Sequence, residues 1–256
     1  MSNSGIVPDL MPLPLDQWET EQLRLSVFQS TGGAAIPSEW WEALAGSPPD
    51  ESTSNPKRGS ATVSGVLDSR KLVLGVELDR IDWLLLPEDQ LAPNQVPSIG
   101  KPQEALASFS TLIESWLQRD DVPDVVRMAF GAVLHHPEVD HNAGYGRLPE
   151  YVPAEVDLET TDFLYQINQP KATETDIRDL IINRLSKWSV ALLRVVAVTP
   201  IGPQVTWPDV HTLRVELDIN TAATFRGPLP RQRLVGVFRE LVAFGVETVE
   251  HGVRNR

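Results

Sequence analysis

Three of the chain's five histidines fall within seven residues, His135-His136-Pro137-Glu138-Val139-Asp140-His141, together with two carboxylates. Neutral imidazoles and carboxylates are zinc ligands, so His135, His136, Glu138, Asp140 and His141 are the one set from which a metal site could be assembled. No recognised ligand spacing is met: there is no HExxH, and the chain has no cysteine to complete a Cys/His pair. Pro137 stiffens the backbone, and the run "PEVDHNAGYG" that it opens has turn composition. The sequence therefore predicts a strand-end loop here, with no metal and no other cofactor; a metal-dependent enzyme built on this loop is the alternative.

Two further constellations carry charge in a pattern. "INRLSKWSV" (182–190) puts Arg184, Lys187 and Trp188 within a few residues. Interleaved cations and aromatics suit single-stranded RNA or a peptide; a strand with one wet face and one core tryptophan fits equally. In "TLRVELDIN" (212–220), Arg214, Glu216 and Asp218 share one face of a strand, as acid–base chemistry, a hard-cation site or a solvated face with an Arg–Glu pair would all require. The glycine pairs in "GYGR" and "SIGKP" lack the context of a phosphate-binding loop, and no GxSxG is present, so no catalytic set is assigned.

A different surface is suggested by charge alone. Glu150, Glu155, Asp157, Glu159 and Asp162 run through a stretch with no basic residue between them, in a chain of formal net charge −13. Such a surface repels phosphates, which disfavours nucleic acid as a partner, and attracts a basic patch on a protein. This run is the first candidate partner surface, and the face around Arg184, Lys187 and Trp188 the second.

The elements that must hold these residues follow from hydrophobic period. "QLRLSVFQ" (22–29) alternates as a half-buried strand, and "PSEWWEALAG" (37–46) has the proline start and glycine stop of a short helix. "SPPDESTSNPKRGS" (47–60) has loop composition; "ATVSGVLD", "KLVLGVELD" and "RIDWLLLP" then form a meander. A helical stripe through Phe109, Ile113 and Trp116 marks 101–120. The order recurs: a strand over 125–136, strands over 162–169, 182–199 and 212–220, and a helix over 230–252 whose stripe includes Phe238. The prediction is an α+β fold, an antiparallel sheet with long helices on one face, possessing two similar strand–meander–helix halves. Residues 1–60 would supply an arm, a strand, a short helix and a loop; 61–124 the first meander and helix; 125–256 the second, with 61–256 one compact unit.

The 256 residues, 41% apolar and 22% charged, suffice for a sizeable core. The first residues have no basic and apolar signal pattern, and no apolar run approaches the ~20 residues of a membrane span, so a cytoplasmic location without membrane contact is expected. The absence of cysteine agrees with a reducing compartment.

Over residues 61–252, the segments "RIDWLLLP", "WLQRDDVPDVVRMAFGAVL", "DFLYQINQP", "INRLSKWSV" and "LRVELDINTA" resemble a sporadically distributed bacterial family of uncharacterised proteins about as long as this one. The resemblance supplies no catalytic residues. The family's patchy occurrence is like that of mobile defence or toxin–antitoxin cargo, and it implies a non-catalytic interaction protein, an accessory or neutralising subunit.

Overall fold

The computed structural model describes residues 11–30, 38–88, 96–157, 159–193, 196–199, 202–205 and 209–253. Residues 1–10 of the N-terminal arm lie outside them, as does Arg194. In chain order the elements are β1 (Glu19–Gln29), α1 (Ser38–Ala45), β2 (Glu51–Asn55), β3 (Ser60–Leu67), β4 (Arg70–Val76), β5 (Arg80–Pro87), α2 (Pro102–Leu117), β6 (Val125–Glu138), α3 (His141–Arg147), β7 (Leu164–Asn168), β8 (Lys171–Ala172), β9 (Ile181–Leu193), β10 (Val196–Thr199), β11 (Gly202–Val205), β12 (Val210–Thr221) and α4 (Leu234–His251).

The fold is α+β. Ten strands form one antiparallel sheet in the order β2-β3-β4-β5-β1-β6-β12-β9-β7, with β8 also on β9; β10 and β11 form a separate pair. β1 and β6 lie side by side at the centre, so β1, from the first sixty residues, is a central strand of the sheet. Outward from this pair each half runs in the same sense, β5-β4-β3 on one side and β12-β9-β7 on the other.

Local chemistry accounts for the joints. Asp68 and Ser69 both have positive φ, 48° and 59°, and join the paired residues Leu67 and Arg70, the two-residue hairpin loop whose twist matches its strands. Pro102 opens α2, where its missing N–H costs nothing. The Asp140 carboxylate accepts from the Ala143 amide at 2.8 Å and starts α3. The sequence reading of 135–141 as a loop is thereby corrected: β6 runs on through Glu138, and a capped helix follows, carrying "GYGR". Composition misled because two glycines in one turn read as a breaker. The run 47–60 likewise contains β2, and 182–199 is not one strand but β9 and β10.

Alternation divides each strand between two faces. One face carries Leu25, Trp83, Phe130, Val215, Leu217 and Trp188, all buried. The helices meet this face: Trp116 of α2 sits edge-on to Trp83 and Trp40, Phe238 of α4 touches both Phe109 and Phe130, and Gly245 and Gly144 abut Phe130 and Val190. Trp116 and Phe238 are fully buried, as their stripes predict. Burying one such ring contributes on the order of 2–3 kcal/mol. No described helix is long and apolar enough to cross a membrane.

Candidate functional site: the open face of the sheet

The helix contacts named above fall on one face, and the opposite face carries the other side chains of the strands. Register places them in rows. One row crosses seven strands: Val73, Leu84, Arg24, Gly131, Asp218, Leu185 and Asn168. A second holds Asp82, Ser26, Ala129, Asn220 and Asn183; a third, Gln22, Val133, Glu216, Lys187 and Gln166. Gly131 lies in a hollow of about 390 Å³, lined among others by Gln22, Arg24, Lys187, Arg214, Glu216 and Asp218.

Most charges around this hollow are already matched. Arg80 pairs with Asp82 at 2.8 Å, and Asp82 accepts from the Ser26 hydroxyl at 2.5 Å. Arg127 donates to Asn220 at 2.9 Å and to the Thr221 carbonyl, while both Arg80 and Arg127 lie over the Phe28 ring. Arg214 is held by Glu21 and Glu216, and Lys187 lies 3.5 Å from Glu216. The sequence reading of Arg214, Glu216 and Asp218 as one charged face with an internal Arg–Glu pair therefore describes the structure.

Arg24 differs. Its guanidinium lies across Gly131, within 3.2 Å of where a β-carbon would stand, and its Nε is enclosed with no hydrogen-bond partner. Among the described residues no carboxylate forms an ion pair with it. A permanently charged five-donor fork in this position can hold a carboxylate or another oxyanion; it cannot act as a base. Sequence reasoning passed over Arg24, because an arginine on an alternating strand reads as a wet-face residue. The available signal was the small residues at Ala129 and Gly131, on the wet side of a strand otherwise rich in large side chains.

The histidine set does not converge. His135 pairs in register with Arg214, on the open-face side, whereas His136 pairs with Leu213, on the helix side, its ring 6.4 Å from that of Trp18. His136 Nδ1 is 3.0 Å from Glu138, which also accepts from Arg147 at 2.8 Å; Asp140 caps α3; His141 stands against Tyr145 and His211. Among the described residues no three His, Asp or Glu side chains come close enough to share a metal. His135 is fully buried with both ring nitrogens unpartnered. Burial holds its pKa below the usual histidine value, with Arg214 and His136 acting in the same direction and Glu21 and Glu19 against them.

The other two sets are also divided. Glu150 is 5% exposed and pairs with Arg147, so it belongs to the scaffold and not to the acidic surface. Glu155, Asp157, Glu159 and Asp162 are exposed. Arg184, Lys187 and Trp188 do not form one face: Lys187 is on the open side, Trp188 is fully buried on the helix side, and Arg184 lies over Phe244 and donates to Thr248 there. Two-residue alternation separates 187 from 184 and 188, the physical reason for that correction.

No family model, no curated protein and no solved structure matches this chain.

Proposed function

We propose that this is a non-catalytic interaction protein that binds a protein partner over the open face of its sheet. One observation carries the reading: opposite the helix contacts named above, the sheet presents a broad surface of half-exposed apolar and charged residues around an Arg24 that has no ion-pair partner among the described residues. Arginine beside an apolar cross-strand neighbour, Leu84, is a residue pattern of binding hot spots. The surrounding ion pairs fix the shape of the face, and the exposed carboxylates of 155–162 steer a basic partner toward it.

The test uses wild-type protein and Arg24→Glu as baits in extracts of the native host, with Arg24→Gln as a milder change. A partner retained by wild type, weakened by Arg24→Gln and lost with Arg24→Glu, while circular dichroism stays unchanged, supports the reading. Equal retention by all three baits, and by Lys187→Glu, overturns it.

A further inference from the structure

We propose that β7 is a docking edge, and that an extended, basic segment of a protein partner adds to it as one more strand of the sheet. The proposal deepens the reading of the molecule as an interaction protein and names where and how the partner is bound.

The backbone geometry comes first. Among the described residues β7 pairs on one side only, with β9. The Gln169 amide donates to the Arg184 carbonyl at 3.1 Å, which makes 169/184, and by alternation 167/186 and 165/188, the hydrogen-bonded pairs. The N–H and C=O groups of Leu164, Gln166 and Asn168 therefore point away from β9, and no backbone group among the described residues pairs with them. Those three side chains are exposed, Leu164 at 62%.

The two edges of the sheet are protected differently. The far edge, β2, reads Glu-Ser-Thr-Ser-Asn, exposed throughout, and leads into Pro56, Lys57 and Arg58. Charge and proline at an edge block strand addition. β7 reads Leu-Tyr-Gln-Ile-Asn, with neither charge nor proline, and alternates apolar residues as a receiving strand does. Gln169, Pro170 and Lys171 follow it, and on its other side the guard is the exposed acidic run Glu155, Asp157, Glu159 and Asp162, directly before it in the chain. That guard selects. A second copy, also of formal charge −13, would bring the same carboxylates face to face, whereas a strand bearing lysine or arginine is drawn in.

The probes are two 12-residue fluorescent peptides of one composition, valine, threonine and lysine. In one the apolar residues alternate; in the other they are scrambled. Anisotropy titrations against the full chain read affinity. The alternating peptide is expected to bind at least about tenfold tighter than the scrambled one. Gln166→Pro deletes an outward N–H, leaves the ladder to β9 intact, and abolishes that preference. Because this variant could misfold, a second arm keeps the wild-type protein and N-methylates the alternating peptide on its pairing edge, which removes binding equally. Equal affinity for both peptides, or binding of neither, overturns the proposal, as does an N-methylated peptide that binds undiminished. Sedimentation that shows a dimer broken by Gln166→Pro assigns the edge to a second copy and overturns it too. Loss of the edge result while Arg24→Glu still sheds a partner leaves the open-face reading standing.

Discussion

The N-terminal half of the sheet, β1 to β5 with α1 and α2, and the C-terminal half, β6 to β12 with α3 and α4, follow one plan. Each has a central strand, a short helix, a meander and a long helix, and the central strands pair with each other. On the helix side the halves use the same chemistry. Trp40, Trp83 and Trp116 pack edge to face in one half; Tyr151 and Trp188 stack in the other, with Trp18, from just before β1, edge-on to both. On the open side they diverge. The row that gives Leu84 and Arg24 in the first half gives Asp218 and Gly131 in the second, and the outer strands are β2, which carries a charge, and β7, which carries none. The shared plan builds a core; the surface on which the halves differ is where recognition can be specific.

The largest effect tests whether the two cores are energetically one. Trp116→Ala and Trp188→Ala each remove a fully buried indole, and each should cost on the order of 3–5 kcal/mol. Because Phe238 touches Phe109 of one half and Phe130 of the other, both variants should still unfold in a single urea transition. Two separated transitions would show that the halves fold independently and that the plan is a tandem of domains.

A smaller effect probes a joint peculiar to the C-terminal half. Gly252 ends α4 at φ 66°, ψ −163°, a region open only to glycine, and a β-carbon there would lie 2.4 Å from the Tyr151 carbonyl. Gly252→Ala should destabilise by roughly 1–3 kcal/mol from backbone strain, more if the clash is not relieved. Thermal unfolding within a degree of wild type would mean that the helix end is not docked on Tyr151.

Much of this frame was legible because one face of every long strand is buried, and burial imposes alternation: β1, β3, β4, β5, β6 and β12 could be read directly. Trp116 and Phe238 were legible for the same reason at helical period. What escaped was set by partners distant in sequence. β2 has no buried side chain and exists only by pairing with β3, so its composition is that of a loop. α3 depends on one cap, Asp140, and on Gly144 fitting against Val190. Arg24 became a candidate only when register set it over Gly131. Glu150 looked like surface, but it is buried and pairs with Arg147, three residues away.

His135 gives a pH-dependent prediction. Its folded pKa lies below the ordinary 6.5, so the unfolded chain binds the proton more readily. Stability is therefore retained above about pH 6.5 and falls as pH drops through that value, by at most about 1.4 kcal/mol per pH unit. Glu19 contributes lower down. Burial raises its carboxyl, but hydrogen bonds from Lys101 and Ser98 outweigh it and hold the pKa below 4.5, so that stabilisation is lost only as pH falls below this range. His135→Gln should flatten the slope between pH 6.5 and 5.5 and, because the His135 charge also helps to lower the Glu19 pKa, move the acid limb slightly toward higher pH. An identical slope in the variant would place the titration elsewhere.

The smallest expected change in stability sharpens the contrast between the edges. Glu155, Asp157 and Glu159 are exposed; Asp157 alone has a local duty, accepting from the Glu159 amide at 3.0 Å. Replacing the three by Gln, Asn and Gln keeps that acceptor and should move the unfolding free energy by no more than about 0.5 kcal/mol. Binding should respond instead. A basic strand approaching β7 loses three attractive charges, so its association rate should fall at low salt, the salt dependence should flatten, and dissociation should change little, because main-chain pairing sets the off-rate. The same neutralisation made at the start of β2, at Asp50 and Glu51, should leave association untouched, since that edge receives no strand. Equal kinetic effects from the two sites would mean that the net charge of the whole chain steers the partner, and that the difference between the edges lies only in which one the backbone leaves open.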